Sequence, residues 1–464
     1  MRRPLCLLLV LFIAFAGCRA EPAPKQEERK RLAGGAQGWN VLLLTADTLR
    51  ADRLGAYGYP VRPTSPRLDA QLAAGVLFER AAAQRASTWP SLATVLTGLY
   101  PRGHGVVENG YGFPDDLPTL PKLLHGAGYR TAAFLSNMCQ ANHQGWDEFA
   151  CSGGQDGKTV QRALAWAQAQ DGSKPFFLWV HLFGAHGPYY NGGDLADREL
   201  DPGYQGPVGP KKWQLNRIMA EKLKLAPRDV QYLDALYDAA VIGTDRLSGS
   251  LLDGLRAAGR LDKTVVVFTA DHGEELYDHN GYLYHACSVY ETTLHVPLGM
   301  SAPGLLPTGA RVPQTVELAD VTPTLLDLLR IKPPAEQHGR SLVPYLERPG
   351  QGGAGKPAFS EYGSTTIRTV VRGPWKLVHN PDGVEPVCIP DAPPGHYPIG
   401  KAELYNLERD PQETRNLAAQ HPEIVSELAK LLRQRFAGMN DRATGQAVPE
   451  GLKEELKGLG YVAH

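Results

Sequence analysis

The sequence predicts an α/β fold with a large, mainly parallel or mixed sheet flanked by helices, followed by a smaller α+β domain. The apolar runs 41–44 and 265–268 each continue into Thr-Ala-Asp, as expected of buried parallel strands that end on a carboxylate. Up to about Leu346, apolar runs alternate with helix-like stretches, which is typical of a parallel sheet. After the glycine-rich stretch 350–355, only short strand-like runs and one long helix remain, which indicates the second domain.

The individual elements follow from local patterns. Short apolar runs predict strands at 41–45, 131–135, 175–181, 264–269 and 295–300, and in the smaller domain at 367–371, 375–378 and 404–407. Helices are predicted at 66–74, 91–96, 118–127, 160–168, 230–257, 321–329 and 422–436. In the first of them Leu68 and Leu72 lie four residues apart, the spacing of an amphipathic helix. The stretch 189–212 is rich in Gly, Pro and Asp, which predicts a long loop.

Length and composition limit what the chain can be. Its 464 residues, 43% of them hydrophobic, can bury a large core, and we divide it into a large domain over 39–346 and a smaller subdomain over 347–464. The 48 basic and 49 acidic side chains nearly cancel, so the charge gives no reason to expect nucleic acid as a partner.

The N-terminus predicts export. Arg2 and Arg3 precede the apolar stretch 5–16, which is shorter than the roughly 18 residues of a spanning helix. The small residues before Cys18 resemble a bacterial lipoprotein processing site, with a plain secretion signal as the alternative. We therefore expect a signal segment over 1–18 and a tether over 19–38. The protein would reside in the bacterial cell envelope or periplasm, anchored to the membrane by a lipid on Cys18.

Cysteines outside the signal segment are few. Cys139 and Cys151 are twelve residues apart and could close a small loop, because export permits disulfides. No Cys-x-x-Cys pair exists, so a zinc site made of thiolates is not expected.

The predicted strand ends also predict a metal site. Ligands of α/β proteins bind just outside the carboxyl ends of the strands, where Asp47 and Asp271 would lie. His272 follows Asp271 at once and adds a third donor. Thr88 lies at the start of a predicted apolar helix, where backbone N–H groups favour an anion. The alternative for Thr88, as for its neighbours Ser87 and Ser91, is simple capping of that helix.

The ordered motifs of the chain resemble those of the sulfatase family of the alkaline phosphatase superfamily. The matching segments are 40–52, 63–69, 75–78, 90–91, 96–101, His181 with 186–189, 271–274, 290–291 with 296–298, 320–326, 403–407, 410–414 and 416–417, with 459–462 at the tail. The resemblance implies an alkaline phosphatase-like fold completed by the smaller C-terminal subdomain. It also implies hydrolysis of sulfate or phosphate esters of a small molecule, a glycan or a lipid.

Several positions depart from that family pattern. Typical sulfatases convert a Cys or Ser at the position of Thr88 to formylglycine, which threonine cannot form because its β-carbon carries a methyl group. Leu92 replaces an arginine, Thr48 replaces a second aspartate, and Ser136-Asn137-Met138 replaces a Lys-x-His triplet. The remaining set resembles the phosphodiesterase and phosphotransferase branch, in which a threonine nucleophile and a metal share one site. Its members here are Asp47, Thr88, Asp271 and His272.

The metal implied by this set is a divalent cation. Mixed carboxylate and imidazole ligands suit zinc, manganese or calcium, and we expect one tightly bound ion. A second ion is an open alternative, for which the candidate ligands are His181, His186, His285, Asp234 and Asp238.

The resemblance implies a mechanism in which Thr88 attacks the metal-bound ester. His186 would bind a substrate oxygen or a second metal, and His285 would protonate the leaving group or bind the ester. His104 and His181 could instead be structural, and His279 is expected to be exposed. Two other functions stay open. One is a phospho-group transferase of the same superfamily, and the other is a non-catalytic surface lipoprotein that binds sulfated or phosphorylated polymer.

Overall fold

The computed structural model describes residues 32–139, 143–189, 200–279, 281–353, 355–363, 365–386 and 398–442. The predicted signal segment with Cys18, most of the predicted tether and the motif at 459–462 lie outside the described residues. In the part that is described, no helix is both long enough and apolar enough to cross a membrane.

An eight-stranded sheet forms the centre of the larger part, in the order β10-β2-β9-β6-β1-β5-β3-β4. Only β9 runs antiparallel to its neighbours among these strands, so the predicted mainly parallel sheet is confirmed. The strands are β1 (Asn40–Ala46), β2 (Val76–Ala82), β3 (Arg130–Leu135), β4 (Glu148–Cys151), β5 (Phe176–Leu182), β6 (Thr264–Ala270), β9 (His295–Ser301) and β10 (Ala310–Glu317). A separate hairpin pairs β7 (Glu275–Leu276) with β8 (Leu283–Tyr284).

Helices accompany the strands along the chain. They are α1 (Pro66–Ala73), α2 (Thr88–Thr97), α3 (Pro101–His104), α4 (Leu120–Gly126), α5 (Asp156–Gln168), α6 (Lys212–Ala220), α7 (Pro227–Ala257), α8 (Glu291–Leu294), α9 (Val321–Leu329), α10 (Val343–Glu347) and α11 (Pro422–Phe436). The central strands β1 and β6 are buried along almost their whole length. This burial on both faces explains why their sequences are continuous apolar runs rather than alternating ones.

Every predicted strand of the large domain is present, but three strands of the eight-stranded sheet (β2, β4 and β10) and the two short strands β7 and β8 were not predicted. β2 carries the charged pair Glu79-Arg80 in its middle, where the two side chains are only half-buried. β10 is an edge strand in which the pairing with β2 shifts between Val312 and Thr315, around Pro313. Proline and bulges are tolerated at sheet edges, so these sequences lack the apolar runs that predict buried strands.

The smaller C-terminal part is an antiparallel sheet covered by a helix. Its order is β11-β12-β13-β14, with β11 (Ala358–Glu361), β12 (Arg368–Arg372), β13 (Trp375–His379) and β14 (Ala402–Asn406). Leu428 and Leu432 of α11 pack on Val370 and Leu404 of this sheet, and Tyr100 of the larger part joins the same core. The predicted α+β character of the smaller domain is therefore confirmed.

The folded structure begins before the end of the predicted tether. Leu32 and Ala36 are buried, and the N–H groups of Gly34 and Ala36 donate to carbonyl oxygens in α9 at 2.8 and 3.0 Å. Residues 32–38 thus pack against the body of the protein.

Candidate active site

The two aspartates that follow the Thr-Ala-Asp segments lie side by side. Strands β1 and β6 are parallel neighbours in register, with Ala46 opposite Ala270. Asp47 and Asp271 are therefore the first residues beyond two paired strands, and both are fully buried. The sheet brings together two carboxylates that are far apart in the sequence.

His272 adds an imidazole to this carboxylate pair. Its Nε2 atom lies 3.8 Å from Asp47 Oδ1 and 3.5 Å from Asp271 Oδ2. Its Nδ1 atom is 2.9 Å from the carbonyl oxygen of Gly273. Because a carbonyl can only accept, Nδ1 carries the proton and the Nε2 lone pair faces the carboxylates. Burial, and then the nearby His285, lower the pKa of His272 to about 4, so the ring is neutral at pH 7.

Thr88 completes the predicted set. It is the first residue of α2 and is fully buried. Its Oγ1 atom lies 3.5 Å from Asp47 Oδ1 and 3.4 Å from His272 Nε2. Ser87, at the N-cap position, makes no side-chain capping bond, and Ser91 donates instead to the carbonyl oxygen of Asp271 at 2.6 Å. The alternative that these hydroxyls cap the helix is therefore wrong. The Thr88 hydroxyl faces Asp47 and His272 instead.

Ionisation of both Asp47 and Asp271 is unfavourable in this buried site without a cation. Burial, and secondarily the charge of Asp271, raise the pKa of Asp47 well above its usual range. Burial raises the pKa of Asp271 to about 7. Asp271 Oδ2 is also buried with no hydrogen bond from any described residue. A divalent cation would offset these penalties, and the carboxylate, imidazole and hydroxyl donors suit such an ion.

His181 joins the cluster, although the sequence left its role open. One ligand atom from each of Asp47, His181 and Asp271 can be chosen so that all three lie within 4.8 Å of one another. His181 Nδ1 is 2.8 Å from Thr45 Oγ1, which also accepts the indole N–H of Trp179 at 3.0 Å. Its Nε2 atom is buried, has no hydrogen-bond partner in the described structure and is 3.9 Å from Asp47 Oδ2. His181 Nε2 is therefore positioned where it could serve as a further metal ligand.

Asn137 is a site residue that the sequence analysis did not identify. Its Nδ2 atom donates to Asp47 Oδ2 at 2.5 Å, from the segment that follows β3. The only indication in the sequence was the place of Asn137 in the triplet at 136–138, which replaces the Lys-x-His triplet of typical sulfatases. A disulfide between Cys139 and Cys151 ties this segment to β4, so the pairing that the sequence left open is present.

Removing the Cys139–Cys151 disulfide should destabilise the protein and loosen Asn137. A double Cys-to-Ser variant is expected to lose about 3 kcal/mol of unfolding free energy, the entropy of closing a loop of that length. Urea unfolding measures the loss of stability. The affinity of the protein for calcium or zinc measures whether the looser Asn137 disturbs Asp47. The same change at the buried free thiol, Cys287→Ser, is the control for altered thiols. An unchanged unfolding midpoint for the double variant would contradict this prediction.

A second group of histidines lies beside the cluster. The ring of His285 is 4.5 Å from that of His272 and 5.0 Å from that of His186, measured between centroids. His186 Nδ1 is 2.7 Å from the carbonyl oxygen of Gly187, so it carries the proton. The neutral His186 Nε2 can then accept a proton or bind a metal. It cannot donate to a substrate oxygen.

Glu274 is the second site residue that the sequence analysis missed. The hairpin pairs Glu275 with Tyr284, which places Glu274 and His285 next to each other beyond it. Glu274 Oε1 is 2.9 Å from His285 Nδ1, and both side chains are buried. Burial raises the pKa of Glu274 to about 8 and lowers that of His285 to about 3. The pair therefore holds a proton on Glu274 near neutral pH, shared through this short contact.

Unusual backbone conformations surround these side chains. Thr48 follows Asp47, Met138 follows Asn137, and Tyr284 and Ala286 flank His285; all four have φ between 55° and 71°. A non-glycine residue in this left-handed region costs about 1–3 kcal/mol and persists where the surroundings enforce it. Such strain is typical of functional sites, and here it adjoins three of the candidate residues.

Four other candidate residues from the sequence form ion pairs or structural hydrogen bonds instead. Asp234 and Asp238 pair with Arg53, and Asp238 also with Arg62, so their interpretation as ligands of a second metal is wrong. These acids lie on α7, where the arginines already neutralise them. His104 is buried with Nδ1 accepting the N–H of Val106, which supports a structural role. His279 is not exposed as expected, because it pairs with Glu275 at 3.1 Å.

Comparison with known proteins identifies the family of this chain. The sulfatase family model matches residues 39–331. Arylsulfatase K of Bos taurus is 25% identical over 492 residues, covering 92% of this chain and 87% of that protein. A shorter match to arylsulfatase K of Danio rerio is 34% identical over 213 residues, covering 44% of this chain and 37% of that relative.

Solved structures share the fold. One, described as a complex with its substrate D-glucosamine-2-N,6-O-disulfate, superposes with a TM-score of 0.69 at 21% identity, covering 88% of this chain and 100% of the other. The phosphonate monoester hydrolase of Agrobacterium radiobacter gives 0.67 at 22% identity, covering 88% and 97%. Since the family model spans more than half of the sequence, this chain belongs to the sulfatase family.

Proposed function

We propose that this protein is a metal-dependent hydrolase of sulfate or phosphate esters that uses Thr88 as its nucleophile, with phosphate esters favoured. The position of the Thr88 hydroxyl, within 3.5 Å of both Asp47 and His272, carries the proposal. Family membership supports ester hydrolysis, and the named relatives favour sulfate. The site chemistry favours phosphate, because a threonine cannot be converted to the formylglycine of typical sulfatases.

Asp47, Asp271 and His272 would hold the metal, together with Thr88 and with His181 as a further ligand. A bound divalent ion supplies Lewis-acid chemistry that lowers the pKa of a coordinated hydroxyl and stabilises negative charge on ester oxygens. At the start of α2, the Trp89 N–H donates to Asn109 Oδ1 at 2.8 Å, the Ser91 N–H donates to the carbonyl oxygen of Ser87 at 3.1 Å, and Pro90 has no N–H. The dipole of the helix, rather than a set of free N–H groups, would therefore favour an anionic group beside Thr88. Nucleophile and anion binding therefore coincide at one helix terminus.

The reaction proceeds in two displacements. The Thr88 hydroxyl loses its proton to water, and its oxygen attacks the phosphorus or sulfur in line with the leaving oxygen. The bond to that oxygen breaks as His285 Nε2 donates a proton to it, and His285 Nδ1 recovers a proton from Glu274 across their 2.9 Å contact. Water then cleaves the threonyl ester: its hydroxyl joins the phosphorus or sulfur, its other proton returns to the Thr88 oxygen, and the anion is released. Glu274 regains from solvent the proton that it gave to His285.

The Glu274–His285 contact predicts a dependence on the leaving group. Glu274→Gln keeps the size of the side chain but removes the proton that His285 would recover. Hydrolysis of an ester with a poor leaving group, such as a phenyl ester, should slow about 100-fold, and that of a nitrophenyl ester much less. Rates across a series of substituted phenyl esters measure the difference. An equal loss for every leaving group, at full metal content, would contradict the role of this pair.

A panel of three esters tests the proposed activity. The zinc-, manganese- or calcium-loaded protein is assayed on nitrophenyl sulfate, nitrophenyl phosphate and bis-nitrophenyl phosphate. We expect turnover that is lost with chelator and is faster for at least one phosphate ester than for the sulfate ester. Faster sulfate hydrolysis would overturn the preference, and no turnover with any metal would overturn the proposal.

We also propose that the protein is exported and anchored in the cell envelope by a lipid on Cys18. The basic and apolar N-terminal pattern supports this proposal. Cys18→Ser should move the protein from the membrane fraction to the soluble fraction of expressing bacteria. An unchanged distribution would contradict the anchor.

A further inference from the structure

The hairpin of β7 and β8 carries Glu274 and His285 at its open end. Glu274 immediately precedes β7, His285 immediately follows β8, and Glu275 pairs with Tyr284 between them. Each strand has only two residues, and a two-stranded hairpin of this size is at best marginally stable by itself. Contacts outside the hairpin must therefore help to fix the distance between Glu274 and His285.

A buried carboxylate and a histidine join this hairpin to the smaller domain. Glu275 is fully buried, and its Oε1 atom accepts hydrogen bonds from the hydroxyls of Ser288 and of Thr292, the latter at 2.7 Å. His279 lies in the turn of the hairpin, with Nδ1 3.1 Å from Glu275 Oε2. Its Nε2 atom is 3.1 Å from the carbonyl oxygen of Gln412, which belongs to the smaller domain. The ring of His279 thus bridges the two domains.

The contacts of His279 make its ring a cation. A carbonyl oxygen can only accept a hydrogen bond, and so can an ionised carboxylate, so both ring nitrogens carry protons. Burial alone would lower the pKa of His279, but the neighbouring carboxylates, chiefly Glu275, raise it to about 9. The ring of Tyr290 stacks on this imidazolium at 3.9 Å between centroids, and its hydroxyl donates to Glu403 of β14 at 2.9 Å.

A second buried cation holds the segments that surround His279. Lys376 of β13 is fully buried, with Nζ 2.9 Å from Glu291 Oε1 and 2.8 Å from Glu413 Oε1. The N–H of Glu291 donates to Glu413 Oε2 at 2.5 Å. Separating such a group would leave a buried charge without compensation, so these contacts resist opening. Residues 288–292 and 412–413 therefore form a firm support for His279.

We propose that His279 is a positioning residue through which the smaller domain sets the geometry of the Glu274–His285 pair. The imidazolium holds the turn of the hairpin against Gln412, and the hairpin then keeps its open end closed across the 2.9 Å contact between Glu274 and His285. His279 touches no substrate and gives up no proton in the reaction. This inference rests on the proposed function, in which that pair protonates the leaving group.

The dependence on the leaving group tests this role. His279→Gln keeps a polar side chain but loses the charge and the two opposed N–H donors, so kcat should fall about tenfold for a phenyl ester and less than about twofold for a nitrophenyl ester. Tyr290→Phe, which removes only the bond to Glu403, should give the same pattern to a smaller extent. In a Glu274→Gln background, His279→Gln should cause no further loss, because both changes disable one relay. An equal loss for every leaving group, or a further loss in that background, would overturn the role.

Hydrogen exchange tests the contact without turnover. Backbone amides of 275–288 should exchange about tenfold faster in metal-loaded His279→Gln than in the parent. His338→Gln is the matched control, because His338 also lies between the domains, where its Nδ1 atom accepts the N–H of Tyr100 and its carbonyl oxygen accepts from Arg435, both at 2.8 Å. Unchanged exchange in His279→Gln, or equal acceleration in His338→Gln, would overturn the inference. Failure of the proposed hydrolase is seen separately, in the assay of the three nitrophenyl esters by the parent protein.

Discussion

Thr88→Ala should lower kcat/KM on the best ester by at least about 1,000-fold, because it removes the hydroxyl oxygen that would carry the covalent intermediate. Thr88→Ser keeps the nucleophilic oxygen and should retain activity within about tenfold of the parent. Steady-state kinetics at saturating metal measure both variants. Full activity of Thr88→Ala would remove the nucleophile from the mechanism.

Matched measurements distinguish chemistry from folding. Thr97 lies at the other end of α2, where its hydroxyl bonds within the chain to the carbonyl oxygen of Ala93 at 2.7 Å. Thr97→Ala therefore removes a buried hydroxyl from the same helix away from the site, and should leave kcat/KM nearly unchanged. Rapid acid quenching of the parent during turnover should yield a phosphorylated or sulfated peptide that contains Thr88. Detection of the group on another residue would assign the nucleophile there.

Asp271→Asn should have opposite effects on the metal-loaded and the metal-free protein. With metal, the variant loses a ligand, so metal affinity and activity should fall by several orders of magnitude. Without metal, the substitution removes a buried carboxylate that lies against Asp47, and the free energy of unfolding should rise. Calorimetric unfolding with and without chelator measures both effects. A metal-free variant less stable than the metal-free parent would contradict this account of the pair.

The pH dependence gives an independent check. Burial raises the pKa of Asp271 to about 7 in the folded protein, above its ordinary value near 4. The folded state therefore holds this proton more tightly than the unfolded state. The contribution of this proton to the free energy of unfolding is at its full value below about pH 4. It is lost as pH rises to about 7. The metal-free parent should show this decline, and Asp271→Asn should show less of it. If the free energy of unfolding fell equally with pH in the metal-free parent and in Asp271→Asn, the shifted pKa of Asp271 would be contradicted.

The sequence predicted the parts of the site that depend on one strand or one helix. Asp47 and Asp271 were found because each follows an apolar run, and Thr88 because it precedes an apolar helix and matches a family position. Asn137 and Glu274 were missed because their contacts arise from the pairing of strands in the sheet and from a hairpin whose two strands have only two residues each. No local pattern encodes those contacts.

Helix α6 and the acids of α7 illustrate two other causes of error. The helix begins at Lys212, where the predicted loop ends, and no element was predicted over it although the spacing of Leu215, Ile218 and Met219 is helical. Asp234 and Asp238 were plausible ligands by residue type alone. Their neutralisation by Arg53 depends on a tertiary contact between distant segments.

The in-register pairing of β1 and β6 restricts how this protein can change during evolution. An insertion or deletion of one residue in either strand would move its aspartate by about 3.3 Å and turn the side chain to the opposite face of the sheet. Lengths of these two strands are therefore fixed jointly, although they are separated by most of the larger domain. The segments between these strands are restricted where they place Thr88, Asn137 and His181, and the pairing of β5 with β1 holds His181 opposite Thr45. Changes of length are thus expected to accumulate in loops away from the site, while the distance between Asp47 and Asp271 stays constant.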